Sequence, residues 1–89
     1  MPKILLFSTL REKLGIKELQ LEVEGTVLDI LREMEKIGYP VGDLVLKDGK
    51  VKRGFIILVN GKNIVHLEGL STRVGVADKV AIFPPAGGG

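Results

Sequence analysis

GTVLDILREMEKIGYP, residues 25–40, sets the architecture of the chain. Its apolar residues recur at helical spacing and form one stripe, which consists of Val27, Ile30, Leu31, Met34 and Ile37. Thr26 is a good N-cap, and Asp29 three residues later is a capping-box partner. Gly38 suits the left-handed position just past a helix end, and Pro40 prevents continuation. The segment predicts one amphipathic helix that buries a single face.

Two strands are predicted before this helix. Residues 3–9 (KILLFST) are rich in branched and aromatic side chains and predict a buried strand. Leu10–Leu14 predicts one helical turn, which Gly15 ends. Residues 17–24 alternate between apolar and polar side chains, which predicts a strand with one wet face. Because the connection is short, we expect the two strands to pair as an antiparallel hairpin.

The chain after the helix predicts two or three further strands. Residues 39–54 contain only a short apolar run and a turn signal. Phe55–Val59 predicts a second buried strand, and the Asn-Gly pair that follows is a strong hairpin signal. Asn63–His66 is the predicted return strand, and Lys79–Phe83 is the predicted final strand.

This order predicts an α+β fold of the β-grasp, or ubiquitin-like, architecture. We expect a mixed sheet of four to five strands with one main amphipathic helix packed on one face. The first and last strands are the most apolar, so we expect them to be central and parallel. A chain of 89 residues allows one domain. We expect the domain to span residues 1–83, and residues 84–89 to form a flexible C-terminal tail.

Composition excludes several classes of function. The chain has no cysteine, which excludes disulfides, thiolate metal sites and cysteine nucleophiles. The net charge is only +2 and the charges are interspersed, which argues against nucleic-acid binding. The longest uncharged apolar stretch, Phe55–Val59, is too short to span a membrane, and no signal peptide is recognised. We therefore expect a soluble cytoplasmic protein.

Catalytic constellations are nearly absent from the sequence. The one histidine, His66, is better explained as a surface residue of a strand than as a base. No cluster has metal-ligand spacing, and no glycine-rich loop has phosphate-binding spacing. Lys47–Arg53 carries four basic residues, which a solvated hairpin explains better than a binding patch.

The informative feature is the ending PPAGGG, residues 84–89. By composition alone, a frayed tail is the favoured interpretation of this segment. However, it follows an apolar strand directly, two prolines stiffen its base, and no later side chain exceeds a methyl group. Extended, six residues span at most roughly 20 Å. The segment is therefore suited to carry a terminal carboxylate into a narrow channel of another protein.

Several motifs of the sequence resemble those of one protein family. The sequence VAIFPP, residues 80–85, is followed two residues later by Gly88-Gly89. Further matching segments are Ile4–Phe7, Leu10–Glu12, the helix that begins at Thr26, Val59–Gly61 and Leu67–Leu70. On these motifs the whole chain resembles the molybdopterin synthase small subunit, within the ubiquitin-like sulfur carriers.

The resemblance implies a chemistry of the C-terminal carboxylate. A ubiquitin-activating-type enzyme would adenylate Gly89 with ATP and Mg²⁺, and a sulfur donor would displace AMP to leave a thiocarboxylate. The sulfur would pass to a pterin precursor in the large subunit of molybdopterin synthase, for a molybdenum or tungsten cofactor. The chain itself would bind no cofactor and would be the non-catalytic sulfur-donor subunit of that complex.

The resemblance also assigns roles to particular residues. Gly89 carries the reacting group, and the residues that pass the channel are Pro84, Pro85, Ala86, Gly87 and Gly88. Phe7 and Phe83 match aromatic positions of an apolar docking patch, with ordinary core packing as the equal alternative. Arg11 is a candidate to pair with acidic groups of a partner, with a solvated arginine as the alternative.

Three other functions stay open from the sequence. The chain could carry sulfur for tRNA thiolation or for thiamine. It could be a protein modifier that joins lysines through Gly89, since that reaction needs the same acyl-adenylate. It could also be a passive interaction module whose tail takes part in no reaction.

Overall fold

The computed structural model describes residues 1–85 and contains two kinds of element, strands and short helices. The strands are β1 (Lys3–Leu6), β2 (Glu18–Gln20), β3 (Gly25–Thr26), β4 (Leu46–Lys47), β5 (Lys50–Val51), β6 (Ile56–Val59), β7 (Lys62–Asn63), β8 (Arg73–Val74) and β9 (Lys79–Phe83). The helices are α1 (Thr9–Leu14), α2 (Val27–Lys36) and α3 (Val41–Val45), with 3₁₀ turns at Ile64–His66 and Gly69–Ser71. Within this part of the chain no helix is long and apolar enough to cross a membrane.

The main sheet confirms the predicted β-grasp architecture. Five strands lie in the order β2-β1-β9-β6-β7, so the last strand is central. β1 runs parallel to β9, with Ile4 opposite Val80, and antiparallel to β2. β6 is antiparallel to β9 and continues into β7 through a hairpin. Two small sheets, β3 with β8 and β4 with β5, complete the pairing.

Helix α2 covers the inner face of the sheet. Both bonds of the predicted capping box form: the Asp29 N–H donates to Thr26 Oγ1 at 3.1 Å, and the Thr26 N–H donates to Asp29 Oδ2 at 2.9 Å. The buried stripe of α2 packs in one core with the inward side chains of β1, β6 and β9. The sixteen buried apolar residues of the described chain include Val27, Ile30, Leu31, Met34, Ile4, Leu6, Ile57 and Ile82.

One member of the predicted stripe does not join the core. Ile37 is 50% exposed because the helix ends at Lys36, and Ile37 occupies the cap position beyond the last turn. The Tyr39 N–H then donates to the carbonyl of Met34 at 2.9 Å, and Gly38 has φ +110°. The positive φ at Gly38 confirms the predicted helix stop. Ile37 lies beyond the last helical turn, so the spacing of the buried stripe no longer determines where its side chain lies.

Two predicted strands are shorter or less buried than expected. β2 covers only Glu18–Gln20 of the predicted residues 17–24, although Leu21 beyond it is buried. β6 alternates: Ile57 and Val59 are buried, whereas Ile56 is 43% exposed. The prediction of a buried strand therefore holds for one face only, because α2 covers one side of the sheet.

The predicted return strand Asn63–His66 was also wrong in its extent. Asn60 and Gly61 form the expected tight turn, with φ +51° and +83°. The strand β7 then ends at Asn63, whose side-chain oxygen accepts the Val65 N–H at 3.0 Å and starts a 3₁₀ turn. His66 therefore lies exposed in that turn and not on a strand.

A carboxylate ties the Asn-Gly turn to the beginning of β9. Asp78 Oδ2 accepts the Gly75 N–H at 2.7 Å, and Oδ1 accepts a hydrogen bond from the Asn60 amide at 2.9 Å. The Asn60 oxygen accepts the Lys79 N–H at 3.0 Å. The Gly75 bond, followed by the Asn60 bond, holds the pKa of Asp78 below its usual value.

Replacing the cap of α2 tests how much the capping box contributes. We expect Thr26→Ala to lower the free energy of unfolding by about 1 kcal/mol, because the Asp29 N–H loses its partner. For a domain of this size that loss lowers the Tm by about 5 °C in thermal circular dichroism. Ser8→Ala is the control, since Ser8 precedes α1 without a side-chain cap bond. Equal losses in the two variants would contradict the role of the box.

The depressed pKa of Asp78 predicts a pH-dependent contribution to stability. A lowered native pKa stabilises the fold above the unfolded value of 3.8, and this stability is lost as the pH falls through the native pKa. We expect Asp78→Asn to have a lower Tm than the wild type at neutral pH, and the difference to shrink below pH 3.8. Asp43→Asn, at an exposed position of α3, is the control and should show no such convergence. A Tm difference that is constant with pH would refute this contribution.

Candidate functional site

The side of the sheet opposite α2 carries an apolar surface, which we call the outer face. Along β9 and its neighbours the register places Ala81 between Leu5 and Leu58, and Phe83 opposite Ile56. These five side chains are half-buried or exposed. The outer face therefore extends along the central strand to the point where β9 ends.

An aromatic column stands at that end of the outer face. The rings of Phe7 and Phe83 stack with their centroids 4.3 Å apart and their planes 9° apart. The guanidinium carbon of Arg11 lies 5.1 Å from the centroid of Phe7, within range of a cation–π interaction. The structure thus brings together the three residues that were candidates for partner binding. Both phenylalanines are half-buried and lie outside the buried core cluster.

Local backbone geometry places Arg11 on the column. Ser8 has φ +53° and turns the chain from β1 into α1, and Leu10 anchors this short helix in the core. The Arg11 Nε then donates to the carbonyl of Leu6 at 2.5 Å. A guanidinium held by its Nε and stacked on one face still has its terminal N–H groups available to bind a carboxylate.

The base of the C-terminal segment packs against the domain next to the column. Pro84 and Pro85 are half-buried and line a groove of about 290 Å³. The other walls are formed by Thr9, Leu10, Lys13, Leu44, Lys52 and Phe55. Proline has no N–H to donate, so the ladders of β9 cannot continue past Phe83. Ala86, Gly87, Gly88 and Gly89 lie outside the described residues, and their roles stay predictions.

Lysine side chains line the groove and lie on the hairpin of β4 and β5. Lys13 and Lys52 line the groove, and the Lys52 Nζ donates to the backbone carbonyl of Asp43 at 2.7 Å. The two other lysines of the basic segment, Lys47 and Lys50, lie exposed on the hairpin of β4 and β5. In residues 1–85 no group of three or more His, Cys, Asp or Glu side chains could hold a metal ion.

Most of the outer face was not predicted from the sequence. Phe55–Val59 was predicted to be a buried strand, so Ile56 and Leu58 were not considered as surface residues. Leu5 was missed for the same reason, since the first strand was also read as buried. The number of predicted helices could have revealed this face, because one amphipathic helix can cover only one face of a sheet.

The sequence is similar to those of a small modifier protein and a putative sulfur carrier. Small archaeal modifier protein 3 of Haloferax volcanii is 38% identical over 85 residues, which cover 93% of this chain and 92% of that protein. A putative sulfur carrier protein of Archaeoglobus fulgidus is 32% identical over 74 residues, which cover 81% of this chain and 84% of that protein.

The fold has a close counterpart among solved structures. CysO in the Amycolatopsis orientalis BexX/CysO complex superposes with a TM-score of 0.88 over the full length of both chains, at 24% identity. At that identity the likeness establishes the shared fold alone. The ThiS family model matches residues 4–89. With this match and the two relatives, the chain belongs to the ThiS family of ubiquitin-like sulfur carriers.

Proposed function

We propose that the chain is a sulfur carrier that acts through the carboxylate of Gly89. The observation that carries this proposal is the family match, which extends over the tail to Gly89. The fold supports it, because the central strand β9 ends beside an apolar face of the sheet, and the tail begins where β9 ends. Small carriers of this family are in general not themselves enzymes, so the catalytic groups would belong to the partner.

The proposed reaction has two steps. The Gly89 carboxylate attacks the α-phosphorus of ATP in the activating enzyme, with Mg²⁺ bound to the phosphates, and pyrophosphate leaves. A sulfide equivalent from a sulfur donor then attacks the acyl carbon, and AMP leaves with its bonding electron pair. One carboxylate oxygen is thereby replaced by sulfur. The adenylate is needed because a free carboxylate is a poor electrophile.

The outer face and the aromatic column are the proposed docking surface for the partner enzymes. A half-buried aromatic pair with an arginine stacked on it has the composition of an interface hot spot. Its position at the end of β9 places bound partners next to the tail. Docking energy from this surface would offset the entropy lost when glycines are ordered in a channel.

The proposed recipient of the sulfur is a pterin precursor in the large subunit of molybdopterin synthase. The Phe-Pro-Pro sequence before the double glycine supports this recipient. Transfer to tRNA or to a thiamine precursor uses the same thiocarboxylate and differs only in the accepting enzyme.

A second candidate function is protein modification, in which Gly89 forms an amide with lysines of other proteins. The similarity of 38% to small archaeal modifier protein 3 supports this candidate. Modification and sulfur transfer share the acyl-adenylate and diverge at the nucleophile, which is a lysine amine in one case and a sulfide equivalent in the other.

Intact mass measurement tests the terminal chemistry. The protein is incubated with a ThiS-type activating enzyme, ATP, Mg²⁺ and a sulfide donor. We expect a mass increase equal to the difference between sulfur and oxygen, because one carboxylate oxygen is exchanged. Deletion of Gly89 should abolish the increase without changing the circular dichroism spectrum, since the tail lies beyond the last strand.

A chain with one bulky residue added after Gly89 is the matched control and should also show no increase. No mass change with several activating enzymes would refute the proposed function. Adducts on lysines in the same reaction, with no gain of sulfur, would favour the modifier.

Truncating the aromatic column tests the docking surface. We expect Phe83→Ala to weaken binding to the activating enzyme about 30-fold, as loss of an aromatic hot spot does. Isothermal titration calorimetry measures the Kd, and circular dichroism confirms that the variant is folded. Val65→Ala is the control, because Val65 is 77% exposed in a 3₁₀ turn outside the outer face. A folded Phe83→Ala variant with unchanged Kd would show that the column stabilises the fold only.

A further inference from the structure

We propose that Gly54 is a positioning residue that sets the direction in which the C-terminal segment leaves the sheet. This inference rests on the function proposed above, since direction matters only if the segment must enter a partner. Gly54 lies in the connection between β5 and β6, 31 positions before Pro85 in the sequence. Nothing in its local sequence marks it as part of the tail.

The strand register brings Gly54 to the tail. β6 and β9 pair antiparallel, with Ile57 opposite Ile82 and Ile56 opposite Phe83. Carrying the same register two residues further places Gly54 opposite Pro85. Pro84 and Pro85 therefore lie beside the residues that lead into β6, although the sheet has ended.

Among the described residues, no backbone N–H donates to the carbonyl of Pro84 or Pro85. Pro84 and Pro85 have no N–H, so neither can donate to a neighbouring strand. Direction must come from packing, and the packing is tight. A β-carbon placed on Gly54 would lie 2.9 Å from both Cβ and Cγ of Pro85, closer than real β-carbon contacts. The pyrrolidine ring thus occupies the space that any other residue at position 54 would fill.

Gly54 also meets a backbone requirement that the tail contact does not explain. The Phe55 N–H donates to the carbonyl of Lys52 at 3.2 Å, which closes a turn with Gly54 at its third position. Its φ of +90° is the value that a type II turn requires there. A glycine would therefore be favoured even without Pro85. The experiment must separate the turn requirement from the contact with the tail.

The chain contains a matched control for this purpose. Gly49 lies in the hairpin of β4 and β5 with φ +76°, and a β-carbon there would meet no described atom within 4 Å. Gly54→Ala and Gly49→Ala thus introduce the same kind of backbone strain. Only Gly54→Ala also pushes against Pro85.

The consequence of that push follows from the restricted backbone of Pro85. Proline restricts its own φ to a narrow range, so a displaced Pro85 changes the direction of the bonds that follow it. A misplacement of about 1 Å at a reacting group can lower a rate by up to about 100-fold. We expect Gly54→Ala to lower kcat for adenylate formation about tenfold, with KM for the carrier changed by no more than about twofold. The docking surface, which sets KM, is not touched.

The test measures pyrophosphate release by the activating enzyme at a temperature where all variants are folded. Gly49→Ala should keep kcat within about twofold of the wild type, although its Tm falls. In a Pro85→Gly background, Gly54→Ala should have little further effect, because the clashing ring atoms are gone. Equal kcat in Gly54→Ala and Gly49→Ala would overturn the proposal. Equal losses from Gly54→Ala with and without the Pro85 ring would overturn it as well.

Nuclear Overhauser contacts keep the positioning role separate from the proposed function. We expect contacts between the Gly54 α-protons and the Pro85 ring protons in the wild type, and their loss in Gly54→Ala. The core contacts between β1 and β9 should be retained in the variant. If the wild type is not adenylated at all, the proposed function fails, and these contacts decide the positioning role alone. Their absence in the wild type overturns it.

Discussion

The parallel pairing of β1 with β9 joins the beginning and the end of the described chain in the middle of one sheet. A parallel pair cannot be closed by a tight turn, so all the intervening chain must cross over between the two strands. The crossover contains α2, and its buried stripe packs on the inward side chains of both strands. The point at which the tail begins follows from this pairing, because Ile82 near the end of β9 lies opposite Leu6 at the end of β1. The aromatic column follows as well, since Phe7 and Phe83 are the residues at the corresponding ends of the two strands.

A single helix over a five-stranded sheet leaves half of the sheet surface without cover. In most small domains such a face is polar, but here its centre is apolar from Leu5 across Ala81 to Leu58. Apolar surface that the fold does not use internally is a common mark of an interaction site. The same arrangement separates the two tasks of the chain. Inward residues of β9 stabilise the domain, and outward residues of the same strand remain available to partners.

Local signals predicted the elements that depend on local physics. The capping box of α2, the stop at Gly38 and the Asn-Gly turn all form as the sequence indicates. The errors arose where a residue's environment depends on distant chain segments. Ile56 looks buried from its neighbours in sequence, yet the absence of a second covering helix exposes it. Among the candidate site residues, Phe7, Phe83 and Arg11 were named from family resemblance, but their stacking required the register of β1 and β9. Gly54 could not be found from sequence, because its contact with Pro85 is created by the pairing of β6 with β9.

The central place of β9 also determines how the domain responds to mechanical force. A pull directed along the axis of β9 would act on a strand that is bonded to β1 on one side and to β6 on the other. Such a load shears both ladders at once, whereas a pull on an edge strand across the sheet would open its hydrogen bonds one after another. Force at the C-terminal end is thus shared among all the backbone bonds of the two ladders. The domain can be held firmly by its tail while its sheet stays intact.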